Sequence, residues 1–180
     1  MTQTNLFLVG PMGSGKTTIG RQLANLLQRD FFDSDHEIVR RTGASIPLIF
    51  DIEGEAGFRE REVAAIDDLS QRQGIVLATG GGAVLRSENR TALRGRGTVI
   101  YLYADPDQLL QRTGRDRNRP LLQTEDPKAK LESLMAERDP LYREVADIII
   151  YTDERSVRSV VRELSTRLKE LSPSFAHQLP

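Results

Sequence analysis

The run Gly10-Pro11-Met12-Gly13-Ser14-Gly15-Lys16-Thr17 fits the pattern G-x-x-x-x-G-K-[ST]. Glycines at these spacings let successive backbone N–H groups point into one concavity, and a helix opening at the end of the run adds the positive end of its dipole. Together they make a cradle for phosphate oxygens. Lys16 adds a cation that can follow the β- and γ-phosphates, and the Thr17 hydroxyl is spaced to ligate Mg²⁺. Lysine is otherwise scarce: the chain of 180 residues has only Lys16, Lys128, Lys130 and Lys169 among its 25 basic residues. The expected ligand is a nucleoside triphosphate with Mg²⁺. The loop fixes the phosphates but neither the base nor the acceptor.

Three further groups of residues could complete the site. Asp33 and Asp35 close a short apolar run, and a spacing of two in extended chain sends both to one face. Taken alone, the pair suits either the cap of a helix starting near His36 or a carboxylate that orients an attacking hydroxyl and accepts its proton, and both readings stay open at this point. Gly80-Gly81-Gly82 follows the apolar run Ile75 to Ala78. A turn at the carboxyl end of a parallel strand is where α/β sheets place ligands, and without side chains its amides can approach one closely. From Arg112 to Arg119 there are four arginines and one aspartate, a local charge of +3. Like charges this dense repel unless an anion neutralises them, which points to a lid, over about 112–124, closing on the polyphosphate.

Other chemistries are excluded by composition. The chain has no Cys and only two histidines, His36 and His177, so thiolate nucleophiles, disulfides and cysteine- or multi-histidine metal sites fall away. With 25 Lys+Arg against 26 Asp+Glu the net charge is −1, so no overall field favours nucleic acid or an anionic membrane. No stretch reaches the roughly 18 apolar residues of a membrane span, and the polar start lacks the layout of a secretory signal. A cytoplasmic protein is expected.

The elements that must position these groups read as alternating strands and helices. Apolar runs at Leu6–Val9, Phe31-Phe32, Ile75–Ala78, Thr98–Tyr103 and Asp147–Tyr151 predict five strands. Helical spacing of apolar residues predicts helices from Lys16, over Arg59–Leu69, from Ala129 toward Arg143, and over Ser156–Leu168. Strands that are continuous apolar runs imply a parallel sheet covered on both faces, a three-layer α/β domain over residues 1–171. The segment 172–180, with two prolines and no periodicity, is expected to be a frayed tail with little to bury.

Taken together, the phosphate loop, Asp33-Ser34-Asp35, Gly54-Glu55-Ala56-Gly57-Phe58-Arg59-Glu60, Thr79-Gly80-Gly81-Gly82, the segment Arg112 to Leu122, and Arg138-Asp139-Pro140-Leu141-Tyr142 resemble the shikimate kinases. These belong to the nucleoside-monophosphate-kinase-like group of P-loop kinases. The resemblance runs from about Leu6 to Ser156 and implies a P-loop NTPase fold with a five-stranded parallel sheet, a substrate-binding insertion over about 33–61 and the lid. The activity it implies is transfer of the γ-phosphoryl group of MgATP to the 3-hydroxyl of shikimate, by a monomer whose partners are ATP and shikimate, with no nucleic acid or membrane.

The resemblance also implies residue roles. Gly13, Ser14, Gly15, Lys16, Thr17 and Thr18 would bind nucleotide, with Arg112 near the adenine, Arg155 bordering it and Arg119 reaching the transferring phosphates. Thr17 and Asp33 would hold Mg²⁺, since the strand before Thr79 ends without an aspartate. Asp35, Arg59, Arg138, Gly80, Gly81 and Gly82 would bind shikimate, with Glu62 orienting Arg59 and with Phe50 and Phe58 walling the ring. Lys16, Asp35 and Arg119 would be catalytic. Two alternatives are a related kinase such as gluconate kinase, and a nucleotide-dependent switch or binding module.

Overall fold

The strand signals pair into one sheet in the computed structural model, which describes residues 4–113, 120–172 and 175. The strands are β1 (Asn5–Val9), β2 (Phe31–Asp33), β3 (Val76–Ala78), β4 (Gly97–Tyr103) and β5 (Ile148–Tyr151). All pair in parallel, in the order β2-β3-β1-β4-β5. Every residue of β1 is buried, because helices cover both faces and leave no solvated side to call for alternation.

The helices are α1 (Lys16–Leu27), α2 (Ser34–Thr42), α3 (Ile46–Ser70), α4 (Ser87–Arg96), α5 (Pro106–Thr113), α6 (Pro127–Val145) and α7 (Val157–Leu171). Leu6 and Leu8 pack with Leu23 and Leu27 of α1 and with Val160 and Leu164 of α7. Phe7 and Val9 point to the opposite face, against Ile66 and Leu69 of α3, Leu93 of α4 and Tyr142 of α6. The result is the expected three layers. Each fully buried Leu or Phe contributes about 1.5–3 kcal/mol.

The sheet order also sets where a ligand can sit. Chain direction through the sheet reverses about β1, so the crevice lies beyond the carboxyl ends of its neighbours. With β2, β3 and β1 side by side, Asp33, the turn after Ala78 and the loop after Val9 emerge next to one another.

Three expectations need correction. The helix predicted from Arg59 begins at Ile46, capped by the Ser45 hydroxyl, and is interrupted at Gly54. The helix expected near His36 starts at Ser34. The tail was expected to have little to bury, yet Phe175 is 1% exposed, packed into the α1–α7 side of the core, with the Arg29 guanidinium 5.4 Å from its ring centroid. Arg115, Arg117 and Arg119 of the expected lid lie outside the described residues.

Candidate active site

The loop between β1 and α1 has the form its sequence requires. Gly15 caps α1 with φ 92°, a left-handed conformation that a side chain would resist, and the helix starts at Lys16. The Lys16 ammonium is buried and donates to the carbonyls of Gly10, at 2.8 Å, and Pro11, at 2.7 Å, spanning the loop. These carbonyl contacts are what phosphate oxygens would compete with. The Ser14 hydroxyl is buried without a partner.

Asp33 caps a helix and also reaches the phosphate loop. Its Oδ1 accepts from the N–H groups of Asp35, at 3.0 Å, and His36, at 3.2 Å, capping α2. Its Oδ2 accepts from the Thr17 hydroxyl at 2.8 Å. A hydroxyl and a carboxylate side by side at the lip of a phosphate loop are a hard-oxygen pair, which suits Mg²⁺. Among the described residues no group of three or more His, Asp or Glu side chains forms a metal cage.

These residues line one cleft of about 500 Å³ with Gly13, Gly15, Thr18, Asp35, His36, Thr79, Gly80 and Gly81. The insertion helices close one side through Val39, Ser45 and Ile46.

The triple-glycine turn joins this cleft to a buried pair of arginines. A Cβ on Gly80 would stand 2.8 Å from Asp35 Oδ1, and one on Gly82 would stand 2.2 Å from Arg59 Nη2. A Cβ on Gly81 would lie 3.2 Å from the backbone nitrogen of Met12 and 3.7 Å from Arg138 Nη1. Close approach, rather than flexibility, therefore explains three glycines in a row: the phosphate loop, Asp35, Arg59 and Arg138 all press on this turn. The Gly80 N–H is itself occupied, donating to the Ser34 hydroxyl at 3.0 Å.

Arg59 and Arg138 are 7% and 3% exposed. Arg59 Nη1 donates to both oxygens of Glu62, at 2.6 and 3.3 Å, so Glu62 orients it as the sequence reading expected. Burial works against the Arg59 charge, but Glu62 and Glu55 outweigh it and raise its pKa. Glu62 has no exposed surface; burial pushes its carboxyl up to about 7, while Arg59 draws it down and the nearby Asp35 pushes it further up. The Tyr142 hydroxyl, close enough to Arg138 to feel its charge, donates to the Gly81 carbonyl. Burial holds that phenol well above its ordinary pKa. Both arginines keep a buried Nε with no hydrogen-bond partner. Orphaned guanidinium donors of this kind cost energy that a bound anion would recover.

Other expected site residues fall around this centre. Phe50 and Phe58 pack together with centroids 4.9 Å apart, and Phe58 carries the Arg59 guanidinium 5.2 Å from its ring centroid. Arg112 donates to the Gly13 carbonyl at 3.3 Å and to the Thr152 carbonyl at 3.1 Å, tying the end of β5 to the phosphate loop. Arg155 does not line the cleft. It is committed to α7, donating to Glu163 at 2.6 Å and to Ser159. Arg119 lies outside the described residues. Sequence reasoning passed over Tyr142, although it stands four residues after Arg138, on the same helix face.

With this geometry in place, comparison with known proteins is decisive. The shikimate kinase family model matches residues 12–169. The chain belongs to the shikimate kinase family. A shikimate kinase of Pseudomonas syringae pv. tomato is 63% identical over 169 residues, covering 94% of this chain and 98% of that one. One from Halorhodospira halophila is 60% identical over 168 residues, covering 93% and 95%. Among solved structures, a shikimate kinase from Acinetobacter baumannii in complex with shikimate superposes with a TM-score of 0.93 at 53% identity, covering 95% of this chain and 96% of that one. A gluconokinase from Sinorhizobium meliloti 1021 shares the fold alone, with a TM-score of 0.62 at 18% identity. The family match covers the phosphate loop from Met12, the glycine turn and both buried arginines.

Proposed function

We propose that the cleft transfers the γ-phosphoryl group of MgATP to the 3-hydroxyl of shikimate, releasing ADP and shikimate 3-phosphate. One observation carries the reading. A side-chain-free turn, Gly80 to Gly82, stands between a phosphate loop and two buried arginines with orphaned donors. A phosphorylated ligand on one side and a small carboxylic acid on the other account for both halves.

In this reading ATP replaces the Gly10 and Pro11 carbonyls as the partner of Lys16, which then follows charge onto the leaving oxygen. Thr17 and Asp33 would hold Mg²⁺, which when bound would supply positive charge against the developing charge of the phosphates. Arg59 and Arg138 take the shikimate carboxylate, and guanidinium suits the task because it stays charged and grips in two places. That anchor leaves the ring over the glycine turn with a hydroxyl toward Asp35. Asp35 orients the hydroxyl and accepts its proton as the O–P bond forms. A loose transition state asks little of the base, so positioning supplies most of the acceleration. Arg119 from the lid stabilises the transferring group, and Arg112 borders the nucleotide.

One chain supplies both halves of the cleft, which supports action as a monomer, and we place the enzyme in the cytoplasm. No described helix is long and apolar enough to cross a membrane. A coupled assay of ADP release with shikimate and with gluconate tests the proposal. ADP release is expected to depend on shikimate; equal rates with the two acceptors, or with none, would defeat it.

A further inference from the structure

Arg59 holds two carboxylates that differ in kind. Glu62 is wholly buried and grips Nη1 with both oxygens. Glu55, one turn earlier on α3, has a side chain 46% exposed and holds Nη2 through a single oxygen at 3.1 Å. The Nε donor is buried and without a partner. A carboxylate that grips a guanidinium side-on takes Nε and one Nη together. Glu55 therefore occupies half of the edge that a carboxylate ligand needs, and leaves the other half unsatisfied.

The backbone beside Glu55 departs from the helix. Gly54, its neighbour, interrupts α3 with φ 70° and ψ −178°, a conformation only glycine adopts readily. A Cβ placed on Gly54 would meet nothing within 4 Å. Glu55 thus sits just after a break in the helix, next to open space. Glu62 sits inside a continuous helical run with no exposed surface.

We propose that Glu55 is a resident counter-ion which the carboxylate of the substrate displaces, so that it sets the price of entry to the acid subsite; this rests on the reading of Arg59 as the shikimate clamp. In the empty enzyme Glu55 neutralises the outer edge of Arg59 and keeps the fork facing Gly82. When the acid arrives, the Glu55 contact to Nη2 breaks, Glu55 turns to solvent, and the ligand takes Nη2 and Nε. One carboxylate exchanges for another, so the charge around the buried Arg59–Glu62 pair is unchanged. A ligand without an anionic group has nothing to exchange and leaves Glu55 in place. Occupancy of this edge makes Glu55 a specificity-determining residue for carboxylic acids.

The test is Glu55→Gln, compared with Glu60→Gln on the exposed side of the same helix. KM for shikimate is measured by steady-state turnover, and shikimate affinity without nucleotide by calorimetry. Losing a half-exposed competitor should tighten shikimate about two- to fivefold in both measurements, the scale of such an ion pair. KM for ATP should not move, and Glu60→Gln should leave shikimate binding unchanged. Weaker shikimate binding by Glu55→Gln would make Glu55 a fixed brace like Glu62, and unchanged binding would leave it no role; either overturns the proposal. Equal tightening by Glu60→Gln also overturns it, because general charge would then be the cause. If the parent enzyme shows no shikimate-dependent turnover, it is the functional reading itself that fails, and this proposal falls with it.

Discussion

Gly82→Ala separates the arginine clamp from the rest of the enzyme. Gly82 has φ −92° and ψ 5°, which alanine adopts without strain, so the substitution adds one methyl group and nothing else. That methyl would stand 2.2 Å from Arg59 Nη2 and 2.4 Å from its Cζ. Relaxed contacts need about 3.5 Å, so the guanidinium must retreat by roughly 1 Å. The end of a long side chain can make that retreat, and the fold absorbs it for about 1–3 kcal/mol, a fall in Tm of at most about 10 °C. The clamp has less tolerance, since a misplacement of about 1 Å can cost on the order of 100-fold in rate. The expected result is a loss of about that size in kcat/KM for shikimate, read from ADP release across a shikimate titration, with KM for ATP unchanged. A value within about threefold of the parent would refute the reasoning, because the position of Arg59 would then not matter to the substrate. Equal weakening of ATP would refute it too.

Three other expectations follow from the same geometry. Lys16→Met removes the cation that spans the loop and should lower kcat by about 100- to 1000-fold, and steady-state activity within a few-fold of the parent would deny Lys16 its role. Arg59→Lys keeps the charge and loses the fork that grips Glu62 at 2.6 Å, so KM for shikimate should rise with KM for ATP unmoved. Glu37 accepts from Arg40, at 2.8 Å, and from Arg41, at 2.7 Å, and these contacts hold its carboxyl at about 2 against an ordinary 4.5. A depressed carboxyl stabilises the fold above its unfolded pKa and loses that contribution as pH falls from 4.5 toward 2. With Arg40 largely in solvent, about 1–2 kcal/mol is expected. In thermal melts Glu37→Gln should therefore be less stable than the parent at pH 7, and the gap should narrow below pH 4.5; a constant gap would show that Glu37 acts by packing.

The sheet was legible because each strand is a short apolar run and the phosphate loop marks where β1 ends. The first half of α3 was not: Leu48 and Ile52 are 46% and 74% exposed, so its apolar residues do not trace a buried stripe. In α4 only Asn89 and Leu93 are buried, too few to show a period. Phe175 was passed over because a lone aromatic among polar and proline residues carries no pattern; its partners, Arg29 and the α7 face, come from distant sequence. At the site, the loop and its Lys and Thr follow from spacing alone. Arg59 and Arg138, far apart in sequence, were singled out by family resemblance, and only the fold presses both against one glycine turn. Glu55 and Tyr142 lay in motifs already noticed, yet their roles depend on which atom of Arg59 or Gly81 they reach. Spacing says nothing about that. Arg155, placed beside the adenine by resemblance, donates to Glu163 and Ser159, partners that spacing does not announce either.

The most direct test of the account is a crystal structure of this enzyme with shikimate and a non-hydrolysable ATP analogue bound together. The carboxylate should lie on Arg59 and Arg138, the ring over Gly80 to Gly82 with a hydroxyl at Asp35, and the terminal phosphate against Lys16. A carboxylate bound elsewhere, with Arg59 still paired to both Glu55 and Glu62, would contradict it.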